Sequence, residues 1–247
     1  MKTEDYAIDT IRETLSDEDM HDSTAQSFRQ FAKLLTNVRT ESVDVIVALG
    51  SGIGGLTKAL GEIYDASSVH AVDIDEEALS VAKSRGIEVH KLDVSSDPLP
   101  FETGSVDLII SLGLLEHLTW FDNVISESRR VLISGGYAVF ALPNLAGWTN
   151  RLSILLGKQP RNVEFSQKRA FGIAKFYNTN NCVGHVHTAT IPAFRQFLTH
   201  YEMKHIDTVG LHPYQSSRYI KIIDKIASYR LNLCRRFAML VRLRDDQ

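Results

Sequence analysis

Cysteine is scarce in this chain, and its scarcity limits the kinds of protein the chain can be. Cys182 and Cys234 are the 2 cysteines among 247 residues, and they stand far apart without a CxxC pair. This excludes a disulfide framework and a cysteine-based zinc knuckle. We expect both thiols to be free, buried or half-buried, in a reducing compartment.

Long apolar runs and a strong excess of basic charge are also missing. No stretch approaches the roughly 20 apolar residues that span a bilayer. The start of the chain, MKTEDYAIDT, lacks the basic and apolar regions of a signal peptide, which predicts a cytoplasmic protein. A formal net charge of -3 disfavours a general nucleic-acid binder.

The charge is unevenly distributed between the two ends of the chain. Residues 1–22 carry eight Asp or Glu, whereas residues 216–247 carry eight Lys or Arg. Apolar residues near helical spacing predict a basic amphipathic helix at roughly 216–234. This helix presents either a solvated outer face or a surface that contacts anionic lipid.

From residue 43 short apolar runs alternate with amphipathic stretches, in a strand, turn, helix rhythm. One such helix is predicted over LLEHLTWFDNVISESRRVL, residues 114–132. Alternation of this kind predicts a doubly wound, Rossmann-like α/β fold, with a mostly parallel sheet and helices on both faces. We expect a single domain over 1–247, with residues 1–40 as a helical cover and residues 144–190 as an insertion that forms a substrate-side lid.

A glycine-rich turn, LGSGIGGLT, follows the first strand. Gly50, Gly52 and Gly55 satisfy G-x-G-x-x-G, a spacing that suits a dinucleotide but does not by itself choose the ligand. The second strand ends in Asp73, whose carboxylate can accept both hydroxyls of a ribose. The third ends in Asp93, where a carboxylate beside a backbone N–H can pair with the amine and ring nitrogen of adenine.

Five segments between residues 43 and 143 stand in the order of a known family's motifs. They are ALGSGIGGLT, VHAVDIDEEAL, VHKLDV, FETGSVDLIISLGLLEHL and RRVLISGGYAVFALPN. This run resembles the class I S-adenosylmethionine-dependent methyltransferases. The downstream segments LPNLAGWTNRLSILLGKQP and GHVHTATIPAFRQFLTHYEM are similar to methyltransferases of the methionine-biosynthesis W type and to relatives associated with quinones, sugars and secondary metabolites.

The resemblance implies a seven-stranded sheet with a reversed last strand, S-adenosyl-L-methionine as cofactor, and methyl transfer to oxygen or nitrogen of a small molecule. It also assigns cofactor contacts. The methionine and ribose portion would lie against Gly50, Ser51 and Gly52, and the ribose hydroxyls would bind Asp73. The remaining contacts would come from Ile74, Asp93 and Val94 at the adenine and from Ser111 and Leu112 at the methionine end.

The chain departs from the family at one position of the first motif. The family usually carries an acidic residue two positions before the first glycine, where it helps to hold the cofactor's ammonium group, but this chain has Ala48. Either another group does that work or cofactor affinity is reduced.

Histidine is the candidate general base, because its ordinary pKa lies close to neutral. His117, in LLEHL, stands at the carboxyl edge of the fourth strand, where it acts as a base or makes a structural hydrogen bond. His185 and His187, in GHVHT, alternate on an extended segment, so only one of them need face the cleft. No further ligand stands at a recognisable spacing from this pair, so we expect no metal. Neighbouring Glu116 is expected to be solvated or to cap a helix.

Three other functions remain as alternatives. An NAD-dependent oxidoreductase of Rossmann type is disfavoured by Asp93, by the LEHL turn and by the SGG before the fifth strand. A non-catalytic, partner-binding relative has Ala48 as its support. An RNA methyltransferase would need an RNA-binding domain or a basic face, and neither is evident. Acceptor specificity is expected in residues 1–40 and 144–190, where Trp148 either lines the pocket or packs in the core.

Overall fold

The computed structural model describes residues 3–15, 27–177, 181–211, 223–224, 226–227 and 229–245. Its strands are β1 Val45–Leu49, β2 Ser68–Asp73, β3 Glu88–Lys91, β4 Val106–Leu112, β5 Leu132–Pro143, β6 Met203–Leu211 and β7 Arg236–Leu243. Its α-helices are α1 Glu4–Thr14, α2 Phe28–Leu35, α3 Gly55–Tyr64, α4 Glu76–Ser84, α5 Asp122–Val131, α6 Trp148–Leu155 and α7 Ile191–His200. Two 3-10 turns lie at Leu115–His117 and Lys175–Tyr177.

The seven strands form one sheet in the order β3-β2-β1-β4-β5-β7-β6. Neighbours from β3 to β5 are parallel, whereas β7 is antiparallel to both β5 and β6. The predicted mostly parallel sheet with a reversed last strand is therefore confirmed. The strand order reverses between β1 and β4, which opens a crevice at the carboxyl ends of these two strands.

Apolar side chains cover both faces of the sheet, because a parallel strand is buried on each side. On one face α1, α2 and α3 contribute Ile11, Phe31 and Leu60 to a continuous core. On the other face α5 and α7 contribute Ile125 and Phe194. Helices on both faces are thus confirmed, and the first two helices share a core with the sheet.

The chain between residues 114 and 132 is not the single helix that its sequence predicts. The 3-10 turn ends at His117, Leu118 is extended, and α5 begins at Asp122. The break has a hydrogen-bonding cause. The carbonyl of Glu116 accepts from the backbone N–H groups of Val186 and His187, at 2.8 and 3.3 Å, instead of from the next helical turn.

Two further segments, the insertion after β5 and the predicted C-terminal helix, differ in part from the sequence prediction. The insertion contains α6, which its weak apolar period does not predict. Of the helix predicted at 216–234, residues 223–224 and 226–227 are helical, residues 229–233 form turns or bends, and 216–222, 225 and 228 lie outside the described residues. No helix within the described ranges is long and apolar enough to cross a membrane. Cys182 is half-buried and Cys234 is buried, and both are free thiols.

Candidate active site

The loop between β1 and α3 is tied to the end of β2 by backbone hydrogen bonds. The N–H groups of Gly50 and Ser51 donate to the carbonyl of Val72 at 2.8 and 3.3 Å. The N–H of Gly52 donates to the carboxylate of Asp73 at 2.8 Å. These bonds fix the backbone at the crevice where the sheet order reverses.

Glycine is required in this loop for conformation and for space. Gly50 has a φ of +65°, and a Cβ there would lie 2.9 Å from the Cβ of Leu114. Gly54 has a φ of +77°, and a Cβ there would lie 2.7 Å from the Cδ1 of Ile87. Both values are left-handed and both contacts are too close for a side chain. The segment that follows β4 therefore packs directly against the glycine loop.

Asp73 stands at the end of β2 with both carboxylate oxygens engaged by backbone donors. One oxygen accepts from the N–H of Gly52 and the other from the N–H of Asp75, at 2.8 and 3.0 Å. Each oxygen has a second lone pair that can accept from a ribose hydroxyl. Next to it Ile74 exposes 64 % of its surface, and this apolar side chain offers a flat heterocycle a packing surface.

Asp93 follows β3 and is held in its ionised form. The N–H and hydroxyl of Ser95 donate to its Oδ1 at 2.9 and 2.6 Å. The hydroxyl hydrogen bond, followed by the backbone one, lowers the pKa of Asp93 below its ordinary value. Val94 is buried, and its carbonyl accepts from the side-chain amide of Asn123 at 3.0 Å. This carboxylate is an acceptor placed beside an anchored backbone.

Ser111 and Leu112 end β4 beside the glycine loop. Ser111 is fully buried, and its Oγ has no hydrogen-bond partner in the part of the chain that the structure describes. Leu112 lines a cavity of about 40 Å³ beneath the loop, together with Ala48 and Leu60. The position where the family carries an acid is thus occupied by a small side chain and open space.

These features fit S-adenosylmethionine as a cofactor. Two carboxylates offer acceptors for ribose hydroxyls and for an adenine amine, Ile74 offers an apolar surface, and the Ser111 hydroxyl has no partner among the described residues. The structure therefore gathers the predicted cofactor residues along the carboxyl edge of β1 to β4.

Two of the three candidate histidines lie together beyond the end of β4. The rings of His117 and His185 meet edge to face with centroids 5.0 Å apart, and Glu116 lies beside them. The Nδ1 of His117 is 3.1 Å from the carbonyl of Gly184. Because a carbonyl can only accept, Nδ1 carries the proton and Nε2 keeps its lone pair. The hydrogen bond orients this ring.

Glu116 is buried and not solvated, which corrects the expectation that water surrounds this carboxylate. Its side chain is buried, with Oε1 3.8 Å from the Nε2 of His185. The chain passes through a tight turn here, so the carboxylate points into the molecule rather than along a solvent-facing helix.

His185 titrates far from neutrality. Burial, followed by electrostatic interaction with His117, Arg236 and Arg161, lowers the pKa of His185 to about 3. The imidazole is therefore neutral at physiological pH, and its Nδ1 is buried without a hydrogen-bond partner in the described segments.

His187 lies apart from the other two histidines. Its ring stacks on Trp120 with centroids 5.9 Å apart, and both residues line a cleft of about 330 Å³ with Thr119 and Thr188. The two histidines of GHVHT thus have different neighbours, as their alternation predicts.

Trp148 is held by structural contacts. Its indole N–H donates to the carboxylate of Asp224 at 2.8 Å. The neighbouring Arg151 donates to the carbonyls of Ala146 and Asn232 at 2.6 and 3.1 Å. These contacts join the insertion to the segment before β7, and none of them involves the histidines.

Glu164 is a structural partner of this site that no sequence spacing indicates. Its carboxylate accepts from the N–H groups of Val183 and Gly184, at 3.0 and 2.8 Å, and forms an ion pair with Arg161. It therefore fixes the segment whose carbonyl orients His117. The hydrogen bonds from Val183 and Gly184 to Glu164 join residues 19 and 20 positions apart in the chain, which only the fold brings together.

Comparison with known proteins agrees with this geometry. Residues 47–140 match the family model described as Methyltransferase domain. A trans-aconitate 2-methyltransferase from Mycolicibacterium gilvum is 28% identical over 116 residues, which are 47% of this chain and 44% of the relative. A malonyl-[acyl-carrier protein] O-methyltransferase from Marinomonas sp. is 27% identical over 131 residues, 49% of this chain and 48% of the relative. The chain thus spans less than half the length of these curated relatives.

Solved structures share the fold over nearly the whole chain. The crystal structure of an S-adenosylmethionine-dependent methyltransferase from Methanosarcina mazei superposes with a TM-score of 0.60 at 18% identity, over 86% of this chain and 98% of that one. One from Mesorhizobium loti gives 0.58 at 16% identity, over 86% and 97%. Residues 47–140 therefore match a methyltransferase domain, and the chain shares its fold with solved S-adenosylmethionine-dependent methyltransferases.

Proposed function

We propose that this chain is an S-adenosylmethionine-dependent methyltransferase that acts on an oxygen or nitrogen of a small molecule. The observation that carries the proposal is the glycine loop locked to Asp73 at the reversal of the strand order, with Asp93 on the next strand. The reversed β7 further supports it, because the dinucleotide-binding fold continues with parallel strands at this position.

In this proposal the cofactor residues keep the roles that the resemblance assigns. Gly50, Ser51 and Gly52 contact the methionine and ribose portion, and Asp73 binds the ribose hydroxyls. Ile74, Asp93 and Val94 hold the adenine. Ser111 and Leu112 face the methionine end, where the Ser111 hydroxyl finds the partner that no described residue supplies.

The acceptor side lies beyond β4, under the insertion of residues 144–190. Methyl transfer from a sulfonium depends mainly on alignment and on exclusion of water. The acceptor occupies the cleft beside Trp120 and His187, next to the pair of His117 and His185. An imidazole is available there to take a proton from the nucleophile. The Nε2 of His117 is better suited to act as this base than the ring of His185, because the pKa of His185 is too low for it to accept the proton.

Calorimetric titration of the purified chain with S-adenosylhomocysteine and with NAD tests the cofactor. We expect binding of S-adenosylhomocysteine and none of NAD, and the reverse result would identify an oxidoreductase. Transfer of labelled methyl from S-adenosylmethionine to a panel of acceptors then tests the reaction. The names of the two curated relatives suggest carboxylic acids as the first members of that panel. Cofactor binding without transfer to any member would favour a non-catalytic role.

A further inference from the structure

Glu116, His117 and His185 bring one carboxylate and two imidazoles to a single point. Their potential ligand atoms all lie within 4.8 Å of one another. With metal–ligand distances near 2.0–2.2 Å, ligands of a tetrahedral zinc ion stand about 3.3 Å apart. The upper limit of 4.8 Å exceeds this spacing by about 1.5 Å, a distance of the size that side-chain rotation covers.

The backbone around this group is fixed by an outer layer of hydrogen bonds. The carbonyl of Gly184 holds the Nδ1–H of His117, and the carboxylate of Glu164 holds the N–H of Gly184. Histidines that bind metals almost always donate their other ring N–H to such a partner, which fixes the tautomer. The ring of His117 therefore presents Nε2 as its free ligand atom.

A buried ring nitrogen at the same point lacks a partner. The Nδ1 of His185 is shielded from solvent and makes no hydrogen bond to any described residue, while its Nε2 is 3.8 Å from Glu116. Burying a polar nitrogen unpaired is costly, so such an atom points to a ligand. Arg236 and Arg161 add positive charge nearby. The binding free energy from the three ligands must therefore exceed the electrostatic repulsion between a bound cation and these two guanidinium groups.

We propose that Glu116, His117 and His185 form a binding site for a divalent transition-metal ion of the zinc class. Two imidazoles and one carboxylate are a donor set that holds zinc and leaves a coordination position open. His117 is exposed, and the cleft lined by Trp120 and His187 begins two residues further along each of the two segments that carry the group. The open position therefore suits an oxygen of the acceptor.

A role for this metal ion in methyl transfer rests on the proposed function, and it narrows that function to acceptors that are methylated on oxygen. A hydroxyl bound to the ion loses its proton to solvent more readily, because the cation stabilises the oxyanion. That oxygen then forms the new bond to the methyl carbon while the carbon–sulfur bond breaks, leaving S-adenosylhomocysteine. In that case His117 serves as a ligand and not as the base.

Metal binding is tested directly, without cofactor or acceptor. The full chain is stripped with a chelator and titrated with Co²⁺, whose visible absorption reports nitrogen and oxygen coordination. We expect one Co²⁺ per chain, displaced by Zn²⁺. Glu116→Gln, His117→Gln and His185→Gln should each weaken the affinity by at least about 100-fold, since even outer-layer changes cost 10–100-fold.

Two controls distinguish this site from adventitious binding. His187→Gln lies on the same segment but outside the group and should bind Co²⁺ as the unchanged chain does. His90→Gln removes the contact of His90 with His70, whose ring nitrogens are 3.2 Å apart, and should also leave the affinity unchanged. Loss of binding in His90→Gln but not in His117→Gln would overturn the proposal.

Binding of S-adenosylhomocysteine separates the two proposals. His117→Gln changes an exposed side chain, so we expect this variant to fold and to bind S-adenosylhomocysteine. If Co²⁺ does not bind while S-adenosylhomocysteine does, the metal site is refuted and the methyltransferase proposal stands. If Co²⁺ binds and S-adenosylhomocysteine does not, the proposed function fails and the metal site remains.

Discussion

Asp73 connects two parts of the cofactor site through its two oxygens, and its replacement tests that role. The two carboxylate oxygens of Asp73 now accept from the N–H groups of Gly52 and Asp75. Asp73→Asn keeps the shape of the side chain but leaves it a single oxygen that can accept. We expect the affinity for S-adenosylhomocysteine to fall about 10-fold or more, because a hydrogen bond to a charged group contributes about 1.5–3 kcal/mol. Calorimetry measures the change.

The matched control for this variant lies two residues further on. Asp75 caps α4, with Oδ1 accepting from the N–H groups of Glu77 and Ala78. Asp75→Asn preserves the cap, because asparagine caps helices as well as aspartate does. Its affinity for S-adenosylhomocysteine should stay within about 2-fold of the original. An equal loss in both variants would show that Asp73 has no specific part in binding.

Ala48 is the second residue whose chemistry can be tested at the cofactor. Ala48→Asp places a carboxylate at the edge of the cavity beneath the glycine loop. We expect tighter binding of S-adenosylhomocysteine by about 3- to 10-fold, since a charge-assisted bond to the ammonium group is partly offset by desolvation.

The ligand itself supplies the control for Ala48→Asp. 5′-Methylthioadenosine lacks the ammonium group, so its affinity should not improve in this variant. Ala48→Asn, which adds an amide without charge, should give no gain with either ligand. An equal gain for both ligands would contradict an effect on the ammonium group.

At the scale of elements, α5 is joined to the loop before β4 by a charged pair. Glu127 accepts from the N–H of Leu99 at 2.7 Å and from Arg130, whose guanidinium also donates to the carbonyls of Leu99 and Phe101. We expect Glu127→Gln to lower the free energy of unfolding by about 1–3 kcal/mol in urea titrations.

The stability that Glu127→Gln loses depends on pH, and the pKa of Glu127 fixes the direction of this dependence. The hydrogen bond from Arg130 is the main cause that lowers the pKa of Glu127 in the folded state. Its stabilisation is therefore present above the unfolded pKa and disappears as the pH falls through the folded pKa. The difference between the two proteins should vanish in acid. Glu202→Gln breaks the exposed pair with Arg129 and should change stability by less than about 1 kcal/mol.

The sequence predicts elements well where they have a local cause and poorly where long-range contacts decide. β1, VIVAL, and β4, VDLIISL, are largely apolar runs, so their existence and approximate bounds follow from the pattern. The break after His117 depends on hydrogen bonds from Val186 and His187 to Glu116. Partners so distant in sequence leave no periodic signal. The burial of Glu116 was mispredicted for the same reason.

At the scale of the whole molecule, the site sits where two cores and one sheet meet. β1 carries the glycine loop at its carboxyl end and is buried between β2 and β4. The common edge on which the proposed cofactor residues lie was predictable, because the strand order places every carboxyl end from β1 to β4 on that edge. The proposed acceptor side was less predictable, since in our proposal it is built by an insertion that follows no sheet rule.

The N-terminal cover belongs to the same cooperative unit in our proposal, and α1 provides the test. Ile11 is fully buried in the core that also contains Phe31 and Ile46. Ile11→Ala should lower the free energy of unfolding by about 2–5 kcal/mol, through lost apolar burial and a cavity. Asp9→Ala, on the exposed side of the helix, should change it by less than about 0.5 kcal/mol.

The shape of the urea transition decides between a cover and a separate lid. If the first two helices unfold together with the sheet, Ile11→Ala shifts a single urea transition and leaves its slope unchanged. A separate lid would instead melt on its own, so that the variant would show an early second transition while the sheet unfolds at the original concentration. Fluorescence and far-ultraviolet circular dichroism, followed together, distinguish the two outcomes, because coincident curves require one cooperative unit.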